Sequence, residues 1–462
     1  MGTTTDEAQR PACADGRTNP GQTHHVQYPA RAPIVDGEAL LRGFELLVRE
    51  APSVEVDVSE EGDAPDDASE PENKLHSQRQ ADAEAAQLLA TLGASDVRTA
   101  LAGHHGYLNV SRPLLFSDAI ARLAPDRFYL EISAQQRVDP ELIARLVLLH
   151  AKRYRFVIDD LRQPDEGFAK LLPYVCAIKI DPARLAPELL QRLTGALKSA
   201  GKLLIAQNIH THEAFERAKA LQFDLFQGYF FARGNKQGAR RINAPRQALL
   251  GLLRLLSSDP SVAQLEAELK LNPVLVMHLM RLANSGEASI GRKVATLRDA
   301  INATGTNRIA RWTQLLLYAD GRKVRLEDDP LVQLAATRAR FMELASARLS
   351  HANRKVIDGA FLTGVFSLVD AVFGDTLENT LEALTLASHI RAAILHREGQ
   401  LGTLLSAIEA LEHGDWDALD RASAALAPLT AGELAQLAIT AAAWASTADQ
   451  SKDNEGLERF EE

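Results

Sequence analysis

Between about residue 80 and residue 233 of this 462-residue chain, short apolar runs alternate with longer stretches whose apolar residues recur at helical spacing. Tyr107-Leu108-Asn109-Val110, Phe128-Tyr129-Leu130-Glu131-Ile132, Phe156-Val157-Ile158, Ala177-Ile178-Lys179-Ile180 and Leu203-Leu204-Ile205-Ala206 have the length and composition of short buried strands. The stretches 141–154 and 186–200 between them read as helices, and two more strand-like runs, 28–36 and 44–48, stand upstream. Such βα alternation implies parallel strands with covering helices. Strand count alone leaves barrel and open sheet unseparated, but this many units in roughly 200 residues predicts a (βα)8-like barrel. In that fold, polar residues at the C-terminal ends of the strands converge on one mouth.

The polar residues fall where that rule expects them. Asn109, Glu131, Asp159 with Asp160, Lys179, Gln207 and Gln227 each lie in or just after a predicted strand. Carboxylates, a carboxamide and a lysine meeting at one mouth make a hard-oxygen site suited to Mg2+ or Mn2+. Two such ions would activate a water and neutralise a phosphodiester. Taken singly, each residue is equally a helix cap or a surface carboxylate, and Asp159-Asp160 suits the N-cap of a strand-to-helix loop. Capping does not account for the whole ordered set.

Around these positions the chain carries Glu45-x-Leu47-x-Arg49, then Asn109-Val110-Ser111, Glu131, Asp159-Asp160, Lys179-x-Asp181 and Gln227-Gly228-Tyr229. In order and spacing these motifs resemble the EAL phosphodiesterase domain, which binds and hydrolyses the bacterial second messenger cyclic di-GMP, over roughly residues 26–235. The resemblance implies that Glu45, Asn109, Glu131, Asp159 and Asp160 are ligands to Mg2+ or Mn2+. It implies that Arg49 and Gln227 contact the dinucleotide and that Lys179 steadies the attacking water.

The same segments depart from the family. Where it places a general-base glutamate after the strand 203–206, this chain has Gln207. A neutral amide accepts no proton near pH 7 and is a poorer ligand for a dication. Loss of a positioned general base costs ~10²–10⁴ in rate. A second family glutamate, which anchors the loop after the acidic pair, is Ala134, and that loop reads Leu161-Arg162-Gln163-Pro164-Asp165-Glu166 without the family's glycines. A proline that follows Gln-Gly-Tyr in the family is replaced by Gly234. Lys179 and the metal set are therefore expected to be vestigial or weak. A rival metal reading, zinc on His210-Thr211-His212, needs partners on other strands that His104, His105 and His150 do not supply, so a helix start is the expectation there.

From about residue 245 the pattern becomes leucine- and alanine-rich, with helical periodicity and no convincing strand. Pro260 and Pro273 mark helix starts, with Asp259 and Asn272 as N-caps. Asn272-Pro273-Val274-Leu275, Leu282-Ala283-Asn284-Ser285, Asp299-Ala300-Ile301, Gly305 and Gly359-Ala360-Phe361-Leu362-Thr363-Gly364 with Asp370 resemble the HDOD domain, a helical module related to HD phosphohydrolases. No His-Asp dipeptide occurs anywhere in the chain, so metal-dependent HD chemistry is not expected. The resemblance implies a protein-interaction module.

The predicted map is a disordered N-terminus (1–25), an EAL-like barrel (26–235) interrupted by an acidic insertion at about 55–75, an all-α HDOD-like domain (245–445) and an acidic tail (446–462). A net charge of −10 argues against a nucleic-acid partner, and two cysteines, Cys13 and Cys176, fit a reducing cytoplasm rather than a disulfide framework. No apolar run approaches membrane-spanning length. The expected partners are cyclic di-GMP and a signalling protein held by the helical domain, with a homodimer left open. Three readings follow: a regulatory protein with a weak or inactive barrel, a working phosphodiesterase making pGpG, or a scaffold that binds no nucleotide.

Overall fold

The computed structural model describes residues 29–49, 95–233, 244–270, 297–316, 328–349, 353–373, 376–383 and 386–447, with single positions between 89 and 92 and between 275 and 283. The expected disordered N-terminus, the acidic insertion, Gly234, Asn272, Pro273, Asn284 and the end of the acidic tail lie outside these residues.

Eight strands close a barrel in sequence order: β1 (Pro29–Asp36), β2 (Leu41–Val48), β3 (His105–Asn109), β4 (Phe128–Ser133), β5 (Arg155–Asp159), β6 (Val175–Ile180), β7 (Leu203–Ala206) and β8 (Leu225–Gln227). Neighbours pair in parallel from β2 to β8, whereas β1 runs antiparallel to both β2 and β8. The exception has a local cause, because four residues are too few for a crossover. Asp36 Oδ1 accepts from the backbone N–H groups of Glu38 (2.8 Å) and Leu40 (3.0 Å), Ala39 adopts a φ of 58°, and the chain doubles back.

Inside the barrel Ile34, Tyr107, Val157, Ala177 and Ile205 form one apolar layer. Side chains alternate along a strand, so residues two positions further on face the same way, one layer nearer the C-terminal ends. Those residues are Asn109, Asp159, Lys179 and Gln207.

The barrel region carries helices α1 (Ser95–Ala100), α2 (Arg112–Phe116), α3 (Pro140–Ala151), α4 (Glu166–Leu171), α5 (Pro187–Ser199) and α6 (His212–Ala220). In α3 Asp139 caps the N-terminus and Leu142, Leu146 and Leu149 are buried, while α5 buries Leu190, Leu193 and Leu197. This is the spacing that puts one apolar stripe against the strands.

Among the described residues, only helices follow β8. They are α7 (Ala244–Leu256), α8 (Val262–Lys270), α9 (Leu297–Thr304), α10 (Thr306–Leu316), α11 (Pro330–Leu349), α12 (Arg354–Phe366), α13 (Asp370–Phe373), α14 (Leu377–Ala383), α15 (Ser388–His396), α16 (Gly399–His413), α17 (Trp416–Ala425) and α18 (Ala431–Thr447). The start of α8 differs from expectation. Ser261 caps it by accepting from Gln264 N (3.3 Å), and Gln264 Oε1 accepts in return from Ser261 N (2.9 Å). This reciprocal box satisfies two orphan donors at once, and Asp259 sits in the preceding turn at a φ of 52°. None of the described helices is long and apolar enough to cross a membrane.

Helix α11 is buried along most of its length, including Gln333, Thr337, Arg338, Glu343 and Ser346. It packs on α12 and α18, while α16 and α18 also pack on β1. Arg31 of β1 donates to the Ala100 carbonyl and to Thr337 Oγ1 (3.0 Å), with its guanidinium 4.3 Å above the Phe44 ring.

The α11–α12 contact depends on a missing side chain. A Cβ at Gly364 would lie 2.6 Å from Ala339 Cα, whereas one on Gly195 in α5 would meet nothing within 4 Å. Gly364→Val should therefore destabilise the protein by ~1–3 kcal/mol through overpacking. Gly195→Ala should stabilise by ~0.5–1 kcal/mol through helix propensity. Thermal melts of the two variants should shift in opposite directions, and a shared sign would contradict the assigned helix contact.

Candidate functional site

The sequence-predicted polar residues meet at the mouth around one cation. Lys179 on β6 and Glu131 on β4 are both 0% exposed, and Glu45 on β2 is nearly so. Lys179 Nζ donates to Glu45 Oε2 at 2.8 Å. It lies 2.6 Å from Glu131 Oε1 as an ion pair, and among the described residues Glu131 has no donor other than this ammonium. Glu45 also accepts from Asn109 Nδ2 (2.8 Å) and from Gln227 Nε2. Across the mouth Gln207 Nε2 donates to Asp159 Oδ1 at 2.6 Å.

Three carboxylates facing one ammonium in a dry space cannot all keep a full charge. Burial pushes Glu45 up, but the Lys179 charge and hydrogen bonds from Lys179, Gln227 and Asn109 outweigh it, leaving the carboxyl below its usual range. Glu131 lacks the Gln227 and Asn109 donors. Burial, joined by the charges of Glu45 and Asp159, raises it well above the usual range despite Lys179. Burial also raises Asp159. Burial works against the Lys179 charge, but Glu131, Glu45 and Asp159 outweigh it and raise its pKa, favouring the ammonium.

The donor set can be tested against a pair of divalent ions. The place between Glu45 and Glu131 is taken by the Lys179 ammonium, and Asp159 faces an amide N–H. Asp160 turns out of the mouth at a φ of 50°, its carboxylate paired with Arg162 (2.6 Å) and in contact with Arg184 (3.5 Å). Among the described residues no group of three or more His, Cys, Asp or Glu is arranged to hold a metal ion. The side chains as placed do not fit two divalent cations.

The loop after the acidic pair has its own anchors. Ala134 offers no side-chain group, but Gln135 Nε2 donates to the Asp160 carbonyl (2.8 Å) and its Oε1 accepts from Ser133 (2.7 Å). Asp165 caps α4 by accepting from Phe168 N (2.7 Å). Asp181 accepts from Asn208 Nδ2 (2.8 Å), and Asn208 has a φ of 58°. The motif pattern gave no signal for Gln135, Arg184 or Asn208.

Thr211 caps α6 by accepting from Ala214 N (3.1 Å), which makes His210-Thr211-His212 a helix start. Arg49, just past the end of β2, has a partner of its own. It makes a bidentate pair with Asp420 of α17 at 2.8 and 2.7 Å, from the far end of the chain. A cavity of about 50 Å³ between β1, β2 and the C-terminal helices, lined by Arg31, Leu41, Phe44, Tyr229 and Leu334 among others, includes none of the mouth carboxylates, and we treat it as a packing gap.

Residues 106–234 match the EAL domain family and residues 247–366 the HDOD domain family. The chain carries an EAL domain followed by an HDOD domain. The EAL match begins at Gly106, so Glu45 and Arg49 stand upstream of it, and the pairing of β2 with β3 brings them to the same barrel. Among curated relatives, the EAL–HDOD chain is 23% identical over 408 residues to the cyclic di-GMP phosphodiesterase CdgJ of Vibrio cholerae, covering 86% of this chain and 88% of that one. It is 24% identical over 321 residues to the uncharacterized protein YuxH of Bacillus subtilis, covering 68% and 78%. Among solved structures it resembles Klebsiella pneumoniae BlrP1 with manganese and cyclic di-GMP (20% identity, TM-score 0.33, 46% of this chain and 56% of that one). It also resembles Bacillus subtilis YkuI with cyclic di-GMP and calcium (19% identity, TM-score 0.32, 44% and 54%).

The Lys179 cluster makes a stability prediction. Lys179→Met should destabilise the protein by ~3–5 kcal/mol near neutral pH, because it leaves buried carboxylate charge uncompensated. Adding Glu45→Gln should recover part of that loss, measured by denaturant unfolding. A Lys179→Met protein as stable as wild type would show that the ammonium is not the counter-charge of this cluster.

Proposed function

We propose that this EAL–HDOD chain is a bacterial signalling protein whose barrel binds cyclic di-GMP but turns it over slowly, with the helical domain passing the bound state to a protein partner. The observation that carries the reading is the Gln207–Asp159 contact. Two carboxylates at 2.6 Å would need a cation or a proton between them, whereas an amide N–H satisfies Asp159 without either. Together with Lys179 between Glu45 and Glu131, this neutralises the mouth by the protein's own groups. Such a mouth still offers hydrogen-bond donors and acceptors to a dinucleotide. It has no free carboxylate at position 207 to take a proton from water.

The domain order and the named activity of the Vibrio cholerae relative support cyclic di-GMP as the ligand class. The two cysteines fit a cytoplasmic setting, and the net charge of −10 speaks against direct nucleic-acid binding. A protein partner, rather than a second substrate, suits a helical region without a His-Asp dipeptide. Both a working phosphodiesterase and a nucleotide-free scaffold are outcomes of the same test.

Calorimetric titration with cyclic di-GMP in Ca2+ should report binding. Production of pGpG in Mg2+ or Mn2+, assayed beside CdgJ, should be slower by ~10²-fold or more, the usual cost of losing a positioned general base. Turnover matching CdgJ and abolished by Glu45→Ala would establish the phosphodiesterase reading instead, and absence of binding would favour the scaffold. Gln207→Glu should raise turnover without reaching the CdgJ rate, because the loop after Asp160 keeps its altered anchors. Full rescue by that one change would place the whole deficit at Gln207.

A further inference from the structure

One corner of the C-terminal helices sits on the barrel mouth. Tyr229, which follows β8, donates to the Glu412 carbonyl of α16 at 2.8 Å, and its ring centroid is 5.0 Å from that of His413. His210, which follows β7, has its ring 6.3 Å from His413. Gly414 makes the turn at a φ of 67°, close enough that a Cβ there would lie 3.2 Å from Leu47 Cδ1. Six residues on, Asp420 grips Arg49 with both carboxylate oxygens. The corner 412–420 thus touches the strand ends of β2, β7 and β8.

A guanidinium presents the same planar pair of donors to a carboxylate as to a phosphate. Asp420 is consequently an internal replacement for an anionic ligand group at Arg49. We infer that Asp420 sets the affinity of the mouth for a phosphodiester: a ligand phosphate and Asp420 compete for Arg49, and binding releases α17 from the barrel. The inference rests on the proposed cyclic di-GMP site. The side chains of Arg49 and Asp420 are 25% and 47% exposed, so water screens the pair and a ligand can displace it. The Glu412–Tyr229 contact behind it is buried. Displacing an exposed pair of this kind weakens binding by about fivefold, the equivalent of ~1 kcal/mol.

The test uses the full chain and cyclic di-GMP. Calorimetry should give Asp420→Asn an affinity about fivefold tighter than wild type, and Asp420→Glu, which keeps the carboxylate, an affinity near wild type. In an Arg49→Ala background, Asp420→Asn should have no further effect. Hydrogen exchange should show α17 opening on ligand addition in wild type and already open in Asp420→Asn without ligand. If wild type binds but Asp420→Asn binds equally or more weakly, or if exchange in α17 ignores the ligand, Asp420 is a structural tie and the inference fails while the binding reading stands. If no variant binds, both fail.

Discussion

The barrel mouth is organised by one buried ammonium. Lys179 on β6 lies between Glu45 of β2 and Glu131 of β4, all three shut away from water. Burying an ion costs several kcal/mol, recovered only where partners are close and well directed. That requirement accounts for the surrounding geometry. Asn109 and Gln227 turn their amide N–H groups toward Glu45, and the Tyr107 ring lies 5.9 Å from the ammonium. The contacts span strands on opposite sides of the barrel, so they exist only when it is closed. The layer of Ile34, Tyr107, Val157, Ala177 and Ile205 beneath them supplies the apolar floor that keeps water out.

The same arrangement sets the chemistry on offer. Glu45, with three kinds of donor around it, is held below the usual carboxylate range, and Glu131, with burial against it and fewer donors, is raised well above it. Asp159 is quieted by the Gln207 amide instead of being left to face another carboxylate. In this arrangement the mouth carboxylates face donors of the protein itself, Lys179 and the amides of Asn109, Gln207 and Gln227. A single residue type at position 207 therefore bears on more than proton transfer: it removes one of the charges that would draw a metal to the mouth.

Much of this was legible in the chain. The βα alternation pointed to the barrel, and the rule that polar residues at the C-terminal strand ends meet at one mouth brought Asn109, Glu131, Asp159, Lys179, Gln207 and Gln227 together. Local patterns failed where short-range geometry overrode them. β1 runs against its neighbours because Asp36 nucleates a four-residue turn, and α8 starts later than Asp259 because Ser261 and Gln264 cap each other. Asp160 looked like the twin of Asp159, but it lies just past the end of β5 at a φ of 50°, and Arg162 and Arg184 hold it outside. The Arg49–Asp420 pair had no sequence signal at all, because its partners are 371 positions apart and neither residue type is unusual where it stands.

Two kinds of link join the mouth to the helices, and their physical difference gives them different roles. Gln227 donates to Glu45; two residues later Tyr229 donates to the Glu412 carbonyl; Glu412 takes a bidentate pair from Arg338 of α11 at 2.8 and 2.6 Å. From Tyr229 to Arg338 this line is buried, and breaking a step there would strand a polar group away from water, so it acts as a strut. Arg49–Asp420 is exposed, and water or another anion can replace either partner at small cost. Between Glu412 and Asp420 the chain turns at Gly414, whose φ of 67° a side chain would disfavour. The fold thus places a buried anchor and an exposed, replaceable contact side by side at the rim of the same mouth.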